Sequence, residues 1–99
     1  MPNKKNNDLL DSHCVQLISS NINMCVPWYI MAAYAYYIED NPLLEDHTFD
    51  RLATKILTNW DKIEHFHKKF LTKEMLEAGT YLGQYPSRVK DAVHELRGN

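Results

Sequence analysis

The chain has 99 residues, of which 44% are hydrophobic and 24% are charged, and its formal net charge at pH 7 is −2. A chain of this size and composition makes one globular domain with a modest core, and the small negative charge predicts no general affinity for nucleic acid. Only three Gly and four Pro are present, which favours helices over a fold rich in tight turns. We therefore predict one all-α domain, residues 8–99, preceded by a disordered polar tail at residues 1–7.

The first two predicted helices lie in the N-terminal half. Apolar residues recur at helical spacing from Asp8 onward, so the first helix should begin there and end among the small polar residues 19–21. The second should cover about residues 27–39, because its first residue is a proline, which suits that position, and Asn41-Pro42 stops a helix. This second helix is apolar or aromatic on all sides. The pattern predicts a place at the centre of the domain or in a homodimer contact.

A longer third helix follows. Asp46 is a suitable N-cap for it, and apolar residues then continue at steps of three and four over residues 47–69. A break is expected near residues 58–59. Together with the second helix it should form a helical hairpin, 27–39 and 47–69, around which the domain is built.

Two shorter helices complete the prediction. Thr72 caps Lys73–Ala78, and Gly79 ends that helix, because glycine readily adopts the left-handed conformation found at helix ends. Residues 80–86 have no regular pattern and are predicted to form a loop. Ser87 should cap a final helix that runs through about Leu96, with Val89, Val93 and Leu96 on its inward face. The predicted fold class is all-α, a single small domain of five helices.

The cysteines and the length of the apolar runs predict where in the cell the protein is located. The two cysteines are Cys14 and Cys25, and the polar N-terminus shows no apolar leader, so we expect free thiols in a cytoplasmic protein. The longest apolar run, residues 26–38, holds about 13 residues, whereas about 20 are needed to cross a bilayer. We therefore expect no membrane association.

A cluster of aromatic and acidic residues follows the second helix: Tyr36, Tyr37, Asp46, Phe49 and Asp50. Aromatic faces beside carboxylates provide what a flat cationic ring such as nicotinamide needs. The same residues also fit a ligand-free hairpin. In that case the aromatic rings belong to the core, Asp46 is an N-cap and Asp50 is an acid favoured by the helix dipole in the first turn. The residue pattern leaves both interpretations open.

Residues 34–52 resemble the small N-terminal helical domain of NAD-dependent DNA ligases, which grips the nicotinamide mononucleotide half of the cofactor. The family pattern is Tyr-His, a linker with Asp-x-Pro, and then Asp-x-x-Tyr-Asp-Arg-Leu. The matching residues in this chain are Tyr36, Asp40-Asn41-Pro42, Asp46, Asp50 and Arg51-Leu52. Tyr37 stands where the family has His, and Phe49 stands where it has the second Tyr. Both replacements keep an aromatic face and change the polar contacts.

The resemblance implies binding without catalysis. The rest of the chain resembles small stand-alone proteins, many from phages, that are related to the ligases through this segment; residues 63–68, 77–80 and 85–87 are similar to that group. Ligase chemistry needs a nucleotidyltransferase domain with a Lys-x-Asp-Gly sequence, which this chain lacks. The resemblance thus implies a non-catalytic, phage-encoded protein in the host cytoplasm. Tyr36, Tyr37, Asp46, Phe49 and Asp50 would bind NAD or nicotinamide mononucleotide, and no cofactor would be required.

Two alternatives to a nucleotide site remain open. One is a protein-interaction module, or an inhibitor of a host protein in host takeover or anti-defence. The other is a nucleic-acid-associated adaptor, because residues 51–99 carry nine Lys or Arg against six acids, while residues 1–50 carry two Lys against seven. A solvated face is a common cause of such asymmetry. A nucleotide binder should have Tyr36, Tyr37 and Phe49 partly exposed in one cleft, whereas an interaction module should bury them and expose another apolar patch.

Histidine spacing predicts no metal site. On an α-helix, the imidazoles of His65 and His67 would point about 200° apart and could not share one ion. Pairing Glu64 with His67, or Asp61 with His65, supplies only two ligands. A zinc site needs three or four.

Overall fold

The computed structural model describes residues 2–81 and 83–96, and side chains are described for residues 10–65, 67–81 and 83–96. These residues form five α-helices and no strand, which confirms the predicted all-α class. The helices are α1 (Pro2–Ser20), α2 (Cys25–Ala33), α3 (Asp46–Thr58), α4 (Lys73–Ala78) and α5 (Ser87–Leu96). Two 3₁₀ helices, Ile22–Met24 and Phe66–Phe70, and one π-helical turn, Tyr34–Ile38, lie between them.

Helix α1 begins at Pro2, earlier than the predicted start at Asp8. Residues 2–7 are therefore helical where the sequence predicts a disordered tail, while Met1 lies outside the described residues. Proline is favoured at the first helical position, and polar residues can continue a helix without an apolar period to reveal it. The end of α1 at Ser20 agrees with the prediction. Asn21 leaves the helix in an extended conformation, and its side chain accepts a hydrogen bond from the backbone N–H of Asn23.

Helix α2 is the centre of the domain. Each of its residues except Pro27 is buried, and α3, α5 and the flanking short helices pack against it. This position accounts for a helix that is apolar on all sides. A homodimer contact is not needed to explain the pattern and stays a prediction. The helix begins at Cys25 rather than Pro27, which lies in the first turn, where a missing N–H costs no helical hydrogen bond.

The second helix of the predicted hairpin does not continue as α-helix to residue 39. After Ala33 the chain widens into the π turn, in which the N–H of Glu39 donates to the carbonyl of Tyr34 at 3.2 Å. Asp40 follows in the left-handed region with φ 53°, which is uncommon outside glycine. The wider turn brings Tyr36 and Tyr37 to the surface of the domain, where each is about half exposed.

Helix α3 ends at Thr58, so the predicted helix over 47–69 is wrong beyond the expected break at 58–59. The side chain of Asn59 donates to the backbone carbonyl of Lys55 at 2.9 Å and competes with helical hydrogen bonding there. The prediction of Asp46 as N-cap is wrong by one residue. Glu45 occupies that position in an extended conformation, and Asp46 is the first helical residue.

Helix α4 agrees with the prediction, whereas α5 begins at Ser87, the residue predicted to be its cap, and ends at Leu96 as predicted. The hydroxyl of Thr72 accepts a hydrogen bond from the N–H of Met75 at 3.1 Å, which caps α4. Gly79 ends α4 with φ 68° and ψ 36°, the left-handed conformation that favours glycine. Helix α5 places Val89 and Val93 in the core. The start of α3 and the end of α4 lie beside the π turn, and this junction forms the candidate site.

Candidate functional site

A cleft with a volume of about 250 Å³ opens between the π turn, the linker that follows it (residues 39–45), and the start of α3. Its walls bring together all five residues of the predicted site, namely Tyr36, Tyr37, Asp46, Phe49 and Asp50. Tyr36 and Tyr37 precede the linker and the other three follow it, so only the folded hairpin unites them. The remaining lining residues are Ala32, Pro42, Leu44 and Gly79.

The aromatic walls of the cleft are accessible to a ligand. Tyr36 is 49% exposed and Tyr37 is 44% exposed, and Phe49 is half-buried. The rings of Tyr36 and Tyr37 meet edge to face, with centroids 4.9 Å apart and planes at 75°. The hydroxyls of Tyr37 and Thr80 lie within hydrogen-bonding distance, at 3.3 Å. This contact ties the π turn to the segment after α4.

The Phe49 wall is supported from behind by the core. Its ring stacks on that of Tyr29, with centroids 4.5 Å apart and an interplanar angle of 12°. The Tyr29 hydroxyl donates to the backbone carbonyl of Thr80 at 2.7 Å. Burial raises the pKa of Tyr29, and the nearby Tyr37 and Asp50 raise it further. Tyr29 is therefore a neutral hydroxyl donor at physiological pH, and it positions the wall without lining the cleft.

The two carboxylates stand on one face of α3. Asp46 and Asp50 are four residues apart, one helical turn, and both are exposed. Asp50 approaches the end of α4, because a Cβ placed on Gly79 would lie 3.6 Å from its Oδ1 atom. Among the described residues, those lining the cleft include no Lys, Arg or His. The cleft thus combines three aromatic side chains with two negative charges, a combination suited to a flat or cationic group.

Sequence reasoning missed part of the site. The sequence predicts Gly79 only as a helix end, and its position in the cleft wall follows from the packing of α4 against α3. Thr80, which bonds to both Tyr29 and Tyr37, lies in the segment that the sequence predicts to be an irregular loop. The ligase-like pattern that predicts the site covers residues 34–52 and includes neither residue. Pro42 lies within the Asp-x-Pro turn of the family pattern, so that signal was available.

The two histidines do not lie as an α-helix would place them. Because residues 66–70 are a 3₁₀ helix capped by His65, the two rings lie near each other, with centroids 5.3 Å apart. The backbone N–H of His67 donates to the Nδ1 atom of His65 at 3.1 Å. Burial lowers the pKa of both residues, and for His67 the nearby His65, Arg88 and Lys69 lower it further. In the part of the chain that the structure describes, no three His, Cys, Asp or Glu residues group as metal ligands.

Part of the basic second half serves the fold. The Nζ atom of Lys68 donates to the backbone carbonyls of Trp60 and Ile63 and lies 4.6 Å from the centroid of the Trp60 ring. Lys73 lies 6.0 Å from the same ring, and Lys69 lies 5.6 Å from that of Phe70. These contacts give three of the lysines a structural partner. The nucleic-acid alternative stays a prediction.

No protein-family model, curated protein or solved structure matches the chain. The likeness to NAD-dependent DNA ligases therefore depends on residues 34–52 and stays a prediction. Within the described residues, none of the helices has the length and apolar character needed to cross a bilayer.

Proposed function

We propose that this protein is a non-catalytic binding protein whose cleft accepts the nicotinamide half of a nicotinamide nucleotide. The observation that carries the proposal is that the five residues of the ligase-like pattern line a single open cleft. Those residues come from the π turn and from α3, on opposite sides of the linker. A hairpin that used them only for packing would not need to leave Tyr36 and Tyr37 half exposed.

The size and chemistry of the cleft support this ligand. Its volume of about 250 Å³ lies slightly below the usual range for small-molecule pockets, about 300–1,000 Å³, so half of a dinucleotide is a better match than the whole. Tyr36, Tyr37 and Phe49 supply aromatic faces for a flat ring. Asp46 and Asp50 supply acceptors for ribose hydroxyls or for the carboxamide N–H groups.

The biological setting of the proposal comes from the resemblance. A chain without the Lys-x-Asp-Gly sequence of ligases would act by binding alone. We propose that it is phage-encoded and works in the host cytoplasm, where nicotinamide nucleotides are present. Its role would then be to sequester or sense such a nucleotide, or to present it to a host protein.

A thermal-shift screen against NAD, nicotinamide mononucleotide and AMP tests the proposal. A ligand that binds the folded state raises the melting temperature by mass action, so the two nicotinamide compounds should raise it and AMP should not. Asp50→Asn should reduce the shift with little change in the melting temperature of the free protein, because Asp50 is exposed. Asp91→Asn, at an exposed position on α5, is the matched control and should keep the shift. If millimolar nicotinamide nucleotides leave the wild-type melting temperature unchanged, the proposal is wrong.

A second candidate function is protein interaction, and one observation favours it. Tyr36, Tyr37 and Ile38 form a run of three exposed large apolar side chains, and Ile38, at 58% exposed, does not line the cleft. Exposed apolar patches often mark protein contacts. Ile38→Ser separates the two functions. It should leave the nucleotide-induced shift intact, and it should weaken self-association or capture of a host protein if this surface is an interface.

A further inference from the structure

We propose that the cleft recognises the positive charge of the oxidised nicotinamide ring and does not hold a phosphate. This inference rests on the proposed function and narrows it to one ligand class, the N-substituted pyridinium cations. Nicotinamide riboside would be a sufficient ligand. The phosphate of the mononucleotide, or the second half of NAD, would remain in solvent.

The charges around the cleft carry the inference. Asp46 and Asp50 lie on its wall, and none of the described lining residues is cationic. Arg51 is next to Asp50 in sequence, but it lines a different groove, between α1 and α3, together with Asp11 and His47. A phosphate in the cleft would therefore meet two carboxylates without a compensating cation. Phosphate sites in proteins use Arg, Lys or converging backbone N–H groups.

The oxidised ring matches this environment and the reduced ring does not. The pyridinium of NAD carries a full positive charge, which the faces of Tyr36, Tyr37 and Phe49 attract through their quadrupoles. The carboxylates of Asp46 and Asp50 add a Coulombic attraction, which is moderated by the solvent exposure of both residues. Reduction to the dihydropyridine removes the charge and with it both attractions. We expect the oxidised form to bind about tenfold more tightly than the reduced form.

Isothermal titration with six compounds at low ionic strength tests the inference. Nicotinamide riboside should bind at least as tightly as the mononucleotide, and NAD should bind about tenfold more tightly than NADH. The pair 1-methylnicotinamide and nicotinamide, which differ in ring charge and carry no phosphate, should show the same preference for the cation. A mononucleotide that binds tenfold or more tightly than the riboside would reveal a phosphate site and overturn the inference, while leaving the proposed function intact. Equal binding of NAD and NADH would overturn it as well. If no nicotinamide compound binds, both proposals fail.

Variants separate charge recognition from a structural role of the acids. Asp46→Asn and Asp50→Asn keep the size of each side chain and one of its acceptor oxygens, and they remove its charge. Each variant should lower the ratio of NAD affinity to NADH affinity toward one, mainly by weakening the binding of NAD. Asp91→Asn should preserve the ratio. If the two cleft variants weaken the binding of NAD and of NADH equally, the acids act through hydrogen bonds and not through their charge, which would contradict the inference.

Discussion

The ring of Tyr29 lies almost parallel to that of Phe49, with the centroids 4.5 Å apart. Tyr29 is fully buried on α2, whereas Phe49 is half-buried on α3 and lines the cleft. The stack therefore joins the centre of the core to the wall of the candidate site. Thr80 completes the connection, because its carbonyl accepts from Tyr29 and its hydroxyl contacts that of Tyr37. The cleft is consequently supported by the buried core of the domain.

Truncation of the stacked ring should destabilise the protein. We expect Phe49→Ala to lower the free energy of unfolding by about 2–4 kcal/mol, because the stack and the buried part of the ring are lost. Phe49→Tyr keeps the ring and restores the residue of the ligase pattern, so it should change stability by less than about 1 kcal/mol. Urea denaturation of the three proteins measures both changes. Equal stability of wild type and Phe49→Ala would show that the stack contributes little.

The sequence was most informative where one periodicity dominates. Apolar spacing predicted α5, and the Thr72 and Gly79 signals bounded α4 correctly. Periodicity misled beyond Thr58, because the apolar steps continue through residues that form a turn and a 3₁₀ helix, held by side-chain hydrogen bonds from Asn59 and Lys68. Those bonds run from polar side chains to backbone carbonyls four to eight residues away, and a pattern of apolar residues does not record them.

The candidate site likewise has features that the sequence predicts and features that it does not. The family pattern named the five residues that converge on the cleft. It did not indicate the π turn, because a helix that is apolar on all sides has no periodicity from which a widened turn could be detected. Gly79 and Thr80 come from a segment about thirty residues beyond α3's first turn, and long-range packing alone brings them to the site. A local pattern therefore predicted the ligand-facing side chains and missed their support.

Substitution of Gly79 tests the left-handed end of α4. Gly79→Ala should lower stability by about 1–2 kcal/mol, because an L-residue with a Cβ is strained at φ 68°. The added Cβ would meet Asp50 Oδ1 at an ordinary contact distance of 3.6 Å, so backbone strain should dominate. Gly79→Asn is the control, since asparagine tolerates this conformation, and it should be less destabilising than alanine. If urea denaturation shows a larger loss of stability for Gly79→Asn than for Gly79→Ala, crowding in the cleft wall is the dominant effect instead.

Lys68 should contribute more to stability than its neighbour Lys69. The Lys68 ammonium donates to the carbonyls of Trp60 and Ile63, in the segment where α3 gives way to the 3₁₀ helix. Lys68→Met keeps the aliphatic length and removes both bonds, so we expect a loss of about 1–3 kcal/mol. Lys69→Met, at an exposed position over the Phe70 ring, should cost less than about 1 kcal/mol. Similar melting temperatures for the two variants would contradict a structural role for Lys68.

The buried thiols should make the fold sensitive to alkaline pH. Cys14 and Cys25 are free and fully buried, and burial raises the pKa of Cys14 to about 12 and that of Cys25 to about 11 from the ordinary value of 9.0. Above pH 9 the unfolded chain loses these protons while the folded chain keeps them. The stabilisation is therefore fully present below pH 9 and is lost as the pH rises toward 11 and 12.

Urea denaturation between pH 8 and 10 measures this effect, with the double variant Cys14→Ala/Cys25→Ala as the control. Wild-type stability should fall from about pH 9, with a slope approaching about 1.4 kcal/mol per pH unit for each thiol. The double variant starts from a lower stability, because two buried side chains are shortened, but its curve should stay flatter up to about pH 10. Beyond that pH both proteins should lose stability together, because burial raises the pKa of Tyr29 and Tyr81 above the ordinary value of 10.0. Parallel curves between pH 9 and 10 would show that the thiols do not cause the alkaline transition.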